Sequence, residues 1–425
     1  MTEEWQQEVE RMKMMTRHEA LGLLYEKWNA QCGEETVSLE ECFGRILAED
    51  ISAGYSIPMV RASSMDGIAV RSELFTEGIP DTSSWKMGQD YVRADTGDDF
   101  DDAYDAVIAI ENVELLPDGG VKIAESVSVE KNANVRPAGS TLKKGDVLVR
   151  SGVRLRSEDV ACIAMSGRNQ VKVRKKPVVA FIPTGSELIP AGKQLQRGQN
   201  FDANSHLAAS MLREMGAEPL LFPIVKDQKD ELRGALRSAL SQSDIVVING
   251  GSSKGGEDFN TRLLEEEGEL ICHGVRAVPG RPMGIAVIDG KPVINLSGPV
   301  LAAFYGLDWC VRSLVCTMLD IPYSLRTRVS VMLEEDLHTP SYMELLVRMN
   351  VCRKGPYYTG YSANAHAENT AGVIASNALF ISEINRDFYP AGSWIEVELC
   401  CRPEEVPVSR RLCNFCNYCG KCLRH

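Results

Sequence analysis

The chain has 425 residues, of which 44% are hydrophobic and 25% are charged, and its formal net charge at pH 7 is −13. This length exceeds what a single hydrophobic core usually supports, so we expect several domains in one globular protein. The excess of acidic residues argues against a nucleic-acid partner, because proteins that bind a phosphate backbone cluster Lys and Arg on their surface.

The first 15 residues, MTEEWQQEVERMKMM, are charged and lack the apolar run of a signal peptide. The longest apolar segment, residues 301–319, carries Asp308 and Arg312 near its middle. We therefore interpret it as a buried core helix and not as a membrane span. A cytoplasmic protein without membrane contact is expected, with reduced or metal-bound thiols among its 13 cysteines.

The regions on either side of the chain centre have a β-rich pattern. Ser38 and Glu41 form a capping-box pattern that predicts a short helix over residues 38–50. Residues 51–150 are rich in Gly, Asp and short β-branched runs, which indicates a β-rich region with many turns. Residues 325–402 show a strand-like alternation and predict a C-terminal β-domain.

Between these regions, short apolar runs alternate with amphipathic segments. The predicted order is strand 177–183, helix 204–216, strand 219–225, helix 229–242, strand 243–250, strand 293–298 and a helix from Val300. This alternation of buried strands with helices predicts a parallel sheet that is covered by helices on both faces.

Three loops at predicted strand ends carry small and charged residues. They are 183–188 (PTGSEL), 248–258 (INGGSSKGGED) and 295–299 (NLSGP). Ligands of parallel sheets bind at these ends, and Gly250 and Gly251 would let backbone approach a ligand closely. Lys254 can meet a negative group, whereas Asp258 and Glu187 would repel phosphate unless a hard cation such as Mg²⁺ lies between them. The alternative is a glycine-rich turn that leads into a helix with acidic capping residues.

The C-terminus forms a separate appendix behind the Pro/Arg-rich link 402–411. Its cysteines at C-x2-C-x2-C-x2-C spacing are Cys413, Cys416, Cys419 and Cys422. Four thiolates within ten residues can surround one zinc ion or hold an iron–sulfur cluster. A reactive tail without metal is the alternative.

Five short motifs stand in a fixed order along the chain. They are 63–69 (SSMDGIA), Thr96-Gly97 running into 105–107 (DAV), 184–188 (TGSEL), 250–258 (GGSSKGGED) and 279–282 (PGRP). In order and spacing, from about residue 38 to residue 400, they resemble the molybdopterin molybdenumtransferase family, which includes the bacterial MoeA enzymes and the E domain of gephyrin. Each motif is weak singly, but the set is highly specific.

The resemblance implies an α/β plus β fold, in an elongated multidomain chain. A central three-layer α/β domain would bind molybdopterin, a β-rich domain would protrude, a linking domain would join them, and a β-domain would follow. The expected boundaries are 1–52 with 140–175 for the N-terminal linking domain, 53–139 for the protruding domain, 176–322 for the α/β domain, 323–402 for the C-terminal β-domain and 403–425 for the cysteine tail.

The resemblance also implies a function in molybdenum cofactor biosynthesis. The expected reaction is the Mg²⁺-dependent insertion of molybdate or tungstate into adenylylated molybdopterin, with release of AMP. The implied assembly is a homodimer with its active cleft between subunits, and a molybdoenzyme client is a further possible partner.

The family's roles transfer residue by residue. The implied catalytic residues are Asp66, Thr96, Glu187, Asp227 and Asp258, of which the last three would also hold the metal. The implied cofactor-binding residues are Thr184, Gly185, Gly250, Gly251, Ser253, Gly255, Pro279, Gly280, Arg281 and Gly298. For Asp227, which precedes a predicted helix, a helix N-cap is the alternative.

Several positions depart from the family pattern. An acidic residue is replaced by Thr141 and another by Ser186, and a lysine is replaced by Val278. The Leu-Pro-Gly-Asn-Pro turn is here 296–300 (LSGPV), with both prolines displaced. The lost prolines and Thr141 favour an alternative hypothesis, a catalytically degenerate relative that binds the pterin cofactor and delivers it to a client enzyme. The retained carboxylates favour the enzyme; they are Asp66, Glu187, Asp227 and Asp258.

Overall fold

The computed structural model describes residues 14–117, 119–250, 259–323, 326–366 and 369–408. The described chain forms two compact units. Residues Glu34–Arg174 make up one unit, and the segments before and after it make up the other. The finer division into linking, protruding, α/β and C-terminal domains stays a prediction.

The first described helix, α1 (Arg17–Lys27), begins with a capping box. The Thr16 hydroxyl accepts a hydrogen bond from the Glu19 N–H (3.2 Å), and the Glu19 carboxylate accepts one from the Thr16 N–H (2.8 Å). This satisfies two N–H groups that a helix start otherwise leaves unpaired. Arg17 also forms an ion pair with Glu344 (2.6 Å), which ties the helix to a distant part of its own unit.

The described residues of the unit Glu34–Arg174 form short strands around one α-helix, with two short 3₁₀ turns at Ser72–Phe75 and Ile110–Asn112. Its elements are β1 (Glu34–Ser38), β2 (Ile51–Ser52), β3 (Ala62–Ser63), β4 (Gly67–Val70), β5 (Val92–Ala94), β6 (Ala106–Ala109), β7 (Val113–Leu115), β8 (Val121–Ile123), β9 (Val135–Arg136), β10 (Val147–Val149), α2 (Ser157–Met165) and β11 (Gln170–Arg174). Strand β4 lies between β5 and β6 in an antiparallel sheet, and β1 pairs with β11 from Glu34↔Arg174 to Ser38↔Gln170. The β-rich prediction for 51–150 is confirmed.

The predicted helix over residues 38–50 is wrong. Ser38 ends β1, and the capping-box partners instead close a turn in which the Ser38 hydroxyl donates to the Glu41 carboxylate (3.2 Å). Gly44 has a φ of +75°, which a right-handed helix does not tolerate. Leu47 then forms an antiparallel bridge with Val173 and is fully buried, so tertiary pairing overrides the local helix signal.

The other unit continues after Lys175 with alternating strands and helices. Its first part contains β12 (Val178–Pro183), β13 (Leu188–Ile189), β14 (Asn200–Phe201), α3 (Asn204–Met215), β15 (Glu218–Leu221), α4 (Lys229–Gln242), β16 (Ile245–Asn249), α5 (Phe259–Glu267), β17 (Glu269–His273), β18 (Ala277–Val278), β19 (Gly284–Ile288), β20 (Lys291–Leu296), α6 (Val300–Gly306) and α7 (Arg312–Leu319). A π-helical turn, Leu307–Val311, joins α6 and α7.

The central sheet has the strand order β15-β12-β16-β20-β19-β17. The first four strands are parallel, as predicted, but β19 and β17 run antiparallel to their neighbours. The purely parallel prediction is therefore corrected at this edge. There, the tight turn Asp289–Gly290, with both residues at positive φ, connects β19 directly to β20. A turn of two residues can join antiparallel strands only.

The apolar helix predicted from residue 301 is the continuous helix Val300–Leu319. It is long and apolar enough to cross a membrane, but 72% of it is buried inside the protein. The interpretation as a core helix is thus supported. Cys310 of this helix and Cys272 of β17 are both buried, and burial raises the pKa of Cys272 to about 12 and that of Cys310 well above its usual value.

The C-terminal part of this unit is a barrel-like sheet. Its elements are β21 (Arg328–Leu333), β22 (Leu337–His338), β23 (Glu344–Lys354), β24 (Tyr357–Ser362), α8 (Ala363–His366), α9 (Thr370–Ile374), β25 (Ala378–Ile381), β26 (Phe388–Tyr389) and β27 (Trp394–Leu399). The order β23-β24-β21-β27-β25 closes on itself, because β25 also pairs with β23. Val406 is buried in this barrel's core, so the barrel extends past residue 402, where we predicted its end.

Candidate active site

Three of the predicted loops meet at the carboxyl ends of β12, β16 and β20. The parallel register aligns Pro183 with Asn249, and Asn249 with Leu296. Hydrogen bonds continue this alignment beyond the strands, from the Thr184 N–H to the Asn249 carbonyl (2.8 Å) and from the Gly250 N–H to the Leu296 carbonyl (3.0 Å). The loops that begin at Thr184, Gly250 and Ser297 therefore leave the sheet side by side.

Gly250 fills a position that only glycine fits. Its φ is +118°, and a β-carbon there would lie far inside van der Waals contact with the carbonyl oxygen of Thr184. The glycine thus allows the β12 and β16 loops to approach each other. Its predicted partners in the same loop, Gly251, Ser253, Gly255 and Asp258, lie outside the described residues.

Asp227 joins the loop after β15 to the loop after β12. Its carboxylate accepts hydrogen bonds from the Thr184 hydroxyl (3.0 Å) and from the Ser186 N–H (3.2 Å). The N-cap residue of α4 is Gln228, without a side-chain capping bond, so the alternative of Asp227 as a helix cap is wrong. Asp227 and Glu187 are both exposed, which leaves their carboxylates open to a ligand.

The predicted magnesium site is only partly within the described residues. The Glu187 carboxylate folds back over Gly185, in the same loop that Asp227 binds. One of its oxygens is 2.8 Å from where a β-carbon on Gly185 would lie. Carboxylate oxygens are the ligands that Mg²⁺ prefers, so the chemistry of these two groups fits that ion. Among the described residues, no group of three or more His, Cys, Asp or Glu side chains is arranged to hold a metal.

Asp66 and Thr96 lie in contact in the other unit. The Asp66 carboxylate accepts hydrogen bonds from the Thr96 N–H (2.7 Å) and the Thr96 hydroxyl (2.9 Å). Both bonds hold the pKa of Asp66 below its usual value, and the bond from the Thr96 backbone N–H has the larger effect. The carboxylate is therefore anionic at neutral pH. The neighbouring Gly67 leaves room for the backbone of Ile108, with which a β-carbon would collide.

The loop with Pro279, Gly280 and Arg281 lies beside the third strand end. The Ser297 hydroxyl donates to the Pro282 carbonyl (2.6 Å). Gly280 lies against α6, since a β-carbon on Gly280 would be 3.7 Å from the carbonyl oxygen of Ala302. The structure thus brings two predicted binding segments, 279–282 and the loop containing Gly298, into direct contact. The four tail cysteines 413, 416, 419 and 422 lie outside the described residues.

Four buried asparagines at this edge of the sheet are absent from the sequence-based assignment. They are Asn204, Asn249, Asn260 and Asn295. The Asn260 amide donates to the Gly250 carbonyl (2.8 Å) and to the Asn295 side-chain oxygen (3.0 Å), which fixes the start of the Gly250 turn. A signal was present in the sequence, because Asn249 and Asn295 interrupt strongly apolar runs where the strands end.

Comparisons with known proteins agree with this geometry. Two family models match, the MoeA N-terminal region (domain I and II) over residues 15–167 and a probable molybdopterin binding domain over residues 180–316. The chain is 26% identical to a molybdopterin molybdenumtransferase of Haemophilus influenzae, over 91% of this chain and 98% of that protein. It is 31% identical to the molybdopterin molybdenumtransferase of Staphylococcus aureus strain COL, over 67% of this chain and 72% of that protein.

A solved structure extends the likeness to the fold. A molybdopterin biosynthesis MoeA protein from Pyrococcus horikoshii superposes with a TM-score of 0.77 at 26% sequence identity, covering 92% of this chain and all of that one. The mixed α/β content and the barrel-like sheet are common to this multidomain fold. The sequence motifs, the matched family models and the shared fold together establish that the chain belongs to the molybdopterin molybdenumtransferase family.

Proposed function

We propose that this protein is a molybdopterin molybdenumtransferase, which inserts molybdate or tungstate into adenylylated molybdopterin and releases AMP. The observation that carries the proposal is the junction of three loops at the ends of β12, β16 and β20, with exposed carboxylates beside closely approaching backbone. Such strand ends bind ligands in parallel sheets. We further propose that the protein works in the cytoplasm as a homodimer.

The pterin nucleotide would lie along the three loops. Thr184, Gly185 and Gly250 are buried at the base of the site, while Gly298 is exposed at its side. The N–H groups of the three buried residues are paired with protein carbonyls, so these residues would shape the base of the site, whereas the exposed Gly298 backbone would face the ligand. The segment Pro279–Arg281 would extend the site, with the Arg281 guanidinium as a donor to oxyanions.

Magnesium would be held by the oxygens of Asp227 and Glu187, together with Asp258 from the adjoining loop. When bound, the ion neutralises phosphate charge and favours attack at phosphorus. The chain's own contribution is positional, since the two hydrogen bonds to Asp227 fix its carboxylate relative to Thr184 and Ser186.

The proposed reaction has two steps. Water adds across the phosphoanhydride bond of adenylylated molybdopterin, and AMP leaves while the pterin keeps its own phosphate. Two dithiolene thiols then form two Mo–S bonds with molybdate, and one molybdate oxygen leaves as water with the two thiol protons. Molybdenum keeps its oxidation state, so no further reductant or oxidant is needed.

Molybdate is an oxyanion and requires positive charge near its site. Arg348 is buried, and the hydrogen-bond partners of its guanidinium within the described chain are Ser376, Ile374 and the Cys400 sulfur, with no carboxylate among them. The guanidinium lies 5.1 Å from the ring centre of Phe304 in α6, the helix that follows the Gly298 loop. The hydrogen bonds of Arg348 use its donors inside the protein, so the cation we propose for molybdate is Arg281, in the segment beside the Gly298 loop.

The test measures the two steps separately. Purified protein is incubated with adenylylated molybdopterin, Mg²⁺ and molybdate, and both AMP and metallated cofactor are assayed. Asp258→Ala and Asp227→Ala should abolish Mg²⁺-dependent AMP release, because a loop carboxylate contributes to ion binding more than to packing. The thermal transition of both variants should stay close to that of the wild type.

Asp230→Ala is the matched control. Asp230 lies three residues from Asp227, in the first turn of α4, and its side chain is fully exposed. This variant should retain full activity. Wild-type turnover in Asp258→Ala or Asp227→Ala would remove that residue from the mechanism, and cofactor binding without AMP release by the wild type would favour a carrier that delivers the cofactor to a client.

A further inference from the structure

The loop after β20 is held by side chains from three directions. The Asn249 amide donates to the Ser297 carbonyl (2.8 Å), and the Asn204 amide donates to the Gly298 carbonyl (2.7 Å). The Ser297 hydroxyl donates to the Pro282 carbonyl (2.6 Å). These bonds connect the loop to β16, to the start of α3 and to the loop 279–282.

All three donors are shielded from solvent. Asn204 is 9% exposed, Asn249 is 2% exposed and Ser297 is 6% exposed. At the Ser297 carbonyl, which is buried, water therefore cannot replace the Asn249 donor, and a buried carbonyl without a donor is costly. The loop they hold contains Gly298, whose backbone would otherwise have wide conformational freedom.

The two asparagines also orient each other. The Asn204 amide group donates to the Asn249 side-chain oxygen as well (2.8 Å), so that oxygen faces α3 and the Asn249 amide group faces the Ser297 carbonyl. The arrangement is a continuous line of hydrogen bonds from α3 through the end of β16 to the loop.

The line of bonds determines where the Gly298 N–H points. In a trans peptide the N–H lies opposite the preceding carbonyl, and the Ser297 carbonyl is bound to Asn249. The Gly298 N–H therefore points away from the asparagine pair. Gly298 is exposed, and within the described chain its N–H has no hydrogen-bond partner. The next residue, Pro299, has no N–H to offer.

We propose that Asn204, Asn249 and Ser297 are positioning residues that aim the Gly298 N–H at an acceptor oxygen of the molybdopterin substrate. The inference rests on the proposed function, because it names the same substrate. It also gives the loop 296–300 a means of fixing its backbone in the absence of the prolines of the family pattern. The three residues act through the loop and touch no reacting atom.

The experiment compares substrate affinity with stability. Asn249→Ala should raise the KM for adenylylated molybdopterin about tenfold, the size expected for one lost hydrogen bond, with kcat within about a factor of two. Ser297→Ala should raise KM in the same direction, whereas Ser297→Thr keeps the hydroxyl and should restore it. The Ser297 pair gives an answer even if Asn249→Ala does not fold.

Ser243→Ala is the matched control. Ser243 precedes the same strand at its opposite end, is 4% exposed, and donates one buried hydrogen bond to the Ala239 carbonyl (2.8 Å). It should lower the thermal transition without changing KM. An unchanged KM in both Asn249→Ala and Ser297→Ala, with an active wild type, would overturn the inference. An inactive wild type that does not bind the substrate would instead overturn the proposed function.

Discussion

At the scale of single residues, the site depends on backbone positions where a side chain is excluded. Gly250→Ala should lower the free energy of unfolding by more than about 3 kcal/mol, because the new β-carbon adds a collision with Thr184 to an unfavourable positive φ. Urea unfolding measures the loss. Gly22→Ala is the control, since Gly22 lies in α1 with no atom within 4 Å of its β-carbon position, and it should be neutral or stabilising by up to about 1 kcal/mol. Equal stability of the two variants would contradict this account.

The glycines at strand ends could be predicted from the sequence, and Asn204 could not. A double glycine after an apolar run has few structural uses, so Gly250 was identified from its neighbours alone. Asn204 is different, because its importance depends on Asn249 and Gly298, which lie 45 and 94 residues further along the chain. One sequence contains no information that pairs such distant amides. The register of β16 and β20 places Asn249 beside the Gly298 loop, and the position of α3 brings Asn204 to both.

At the scale of elements, the charged residues inside an apolar segment decided its interpretation. Asp308 and Arg312 argue against a membrane span for residues 301–319. In the structure, Asp308 binds both Arg312 and Arg326, which lies further along the chain. The Asp308 carboxylate accepts hydrogen bonds from Arg326 (2.6 and 2.8 Å) and from Arg312 (3.2 Å), and its side chain is only 5% exposed. The Asp308–Arg326 ion pair holds the core helix beside the barrel, because the first barrel strand, β21, begins two residues after Arg326.

Asp308→Ala should therefore destabilise the protein by about 3–5 kcal/mol, because it removes the buried anion that binds both guanidinium groups and leaves only the more distant Glu214 (3.7 Å) and Glu398 (3.9 Å). Denaturant unfolding at pH 7 measures the effect. Arg328→Ala is the control, as the Arg328–Glu398 pair (3.0 Å) is more than half exposed on the arginine side and should contribute about 0–1 kcal/mol. A loss in Asp308→Ala no larger than in the control would show that Asp308 does not hold the helix.

The type of an element could be predicted where the spacing of apolar residues was regular over its whole length. The prediction was wrong where pairing with a distant strand determined the structure. Strand β12 (Val178–Pro183) begins one residue after the predicted start of 177–183 and ends where predicted. Strand β16 (Ile245–Asn249) lies inside the predicted range 243–250. The capping-box signal at Ser38 was read as a helix, yet the strand partner Gln170 lies in a part of the sequence that no local pattern connects to it. The antiparallel strands β17 and β19 were also absent from the prediction, although Asp289–Gly290 between β19 and β20 is a local hairpin signal.

At the scale of the whole molecule, the cysteine tail can be tested apart from the fold. Deleting residues 412–425 should leave the thermal transition and the proposed dimer nearly unchanged while removing about one bound metal per chain, since thiolate ligands fold around their ion. Elemental analysis of protein purified without oxygen compares the full-length and truncated forms. Equal zinc and iron in both would contradict a metal site.

A longer deletion is the matching control. Residues up to 408 belong to the barrel, because Val406 is buried and the Arg353 N–H donates to the Pro407 carbonyl (2.7 Å). Removing residues 403–425 should therefore lower the thermal transition, in contrast to the deletion that starts at 412. If both deletions were harmless, the barrel would not depend on Val406.

The ion pair between Arg17 and Glu344 joins residues 327 positions apart, and this has a consequence for the order of events on the ribosome. At about 5–20 residues per second, roughly 16–65 s pass between the synthesis of Arg17 and that of Glu344. The strands against which α1 packs, β17 and β19, are synthesised within this interval, and until then a helix of 11 residues is too short to persist alone. Residues 34–174 are complete well before then. The first described helix thus acquires its packing partners only after residues 34–174 are complete.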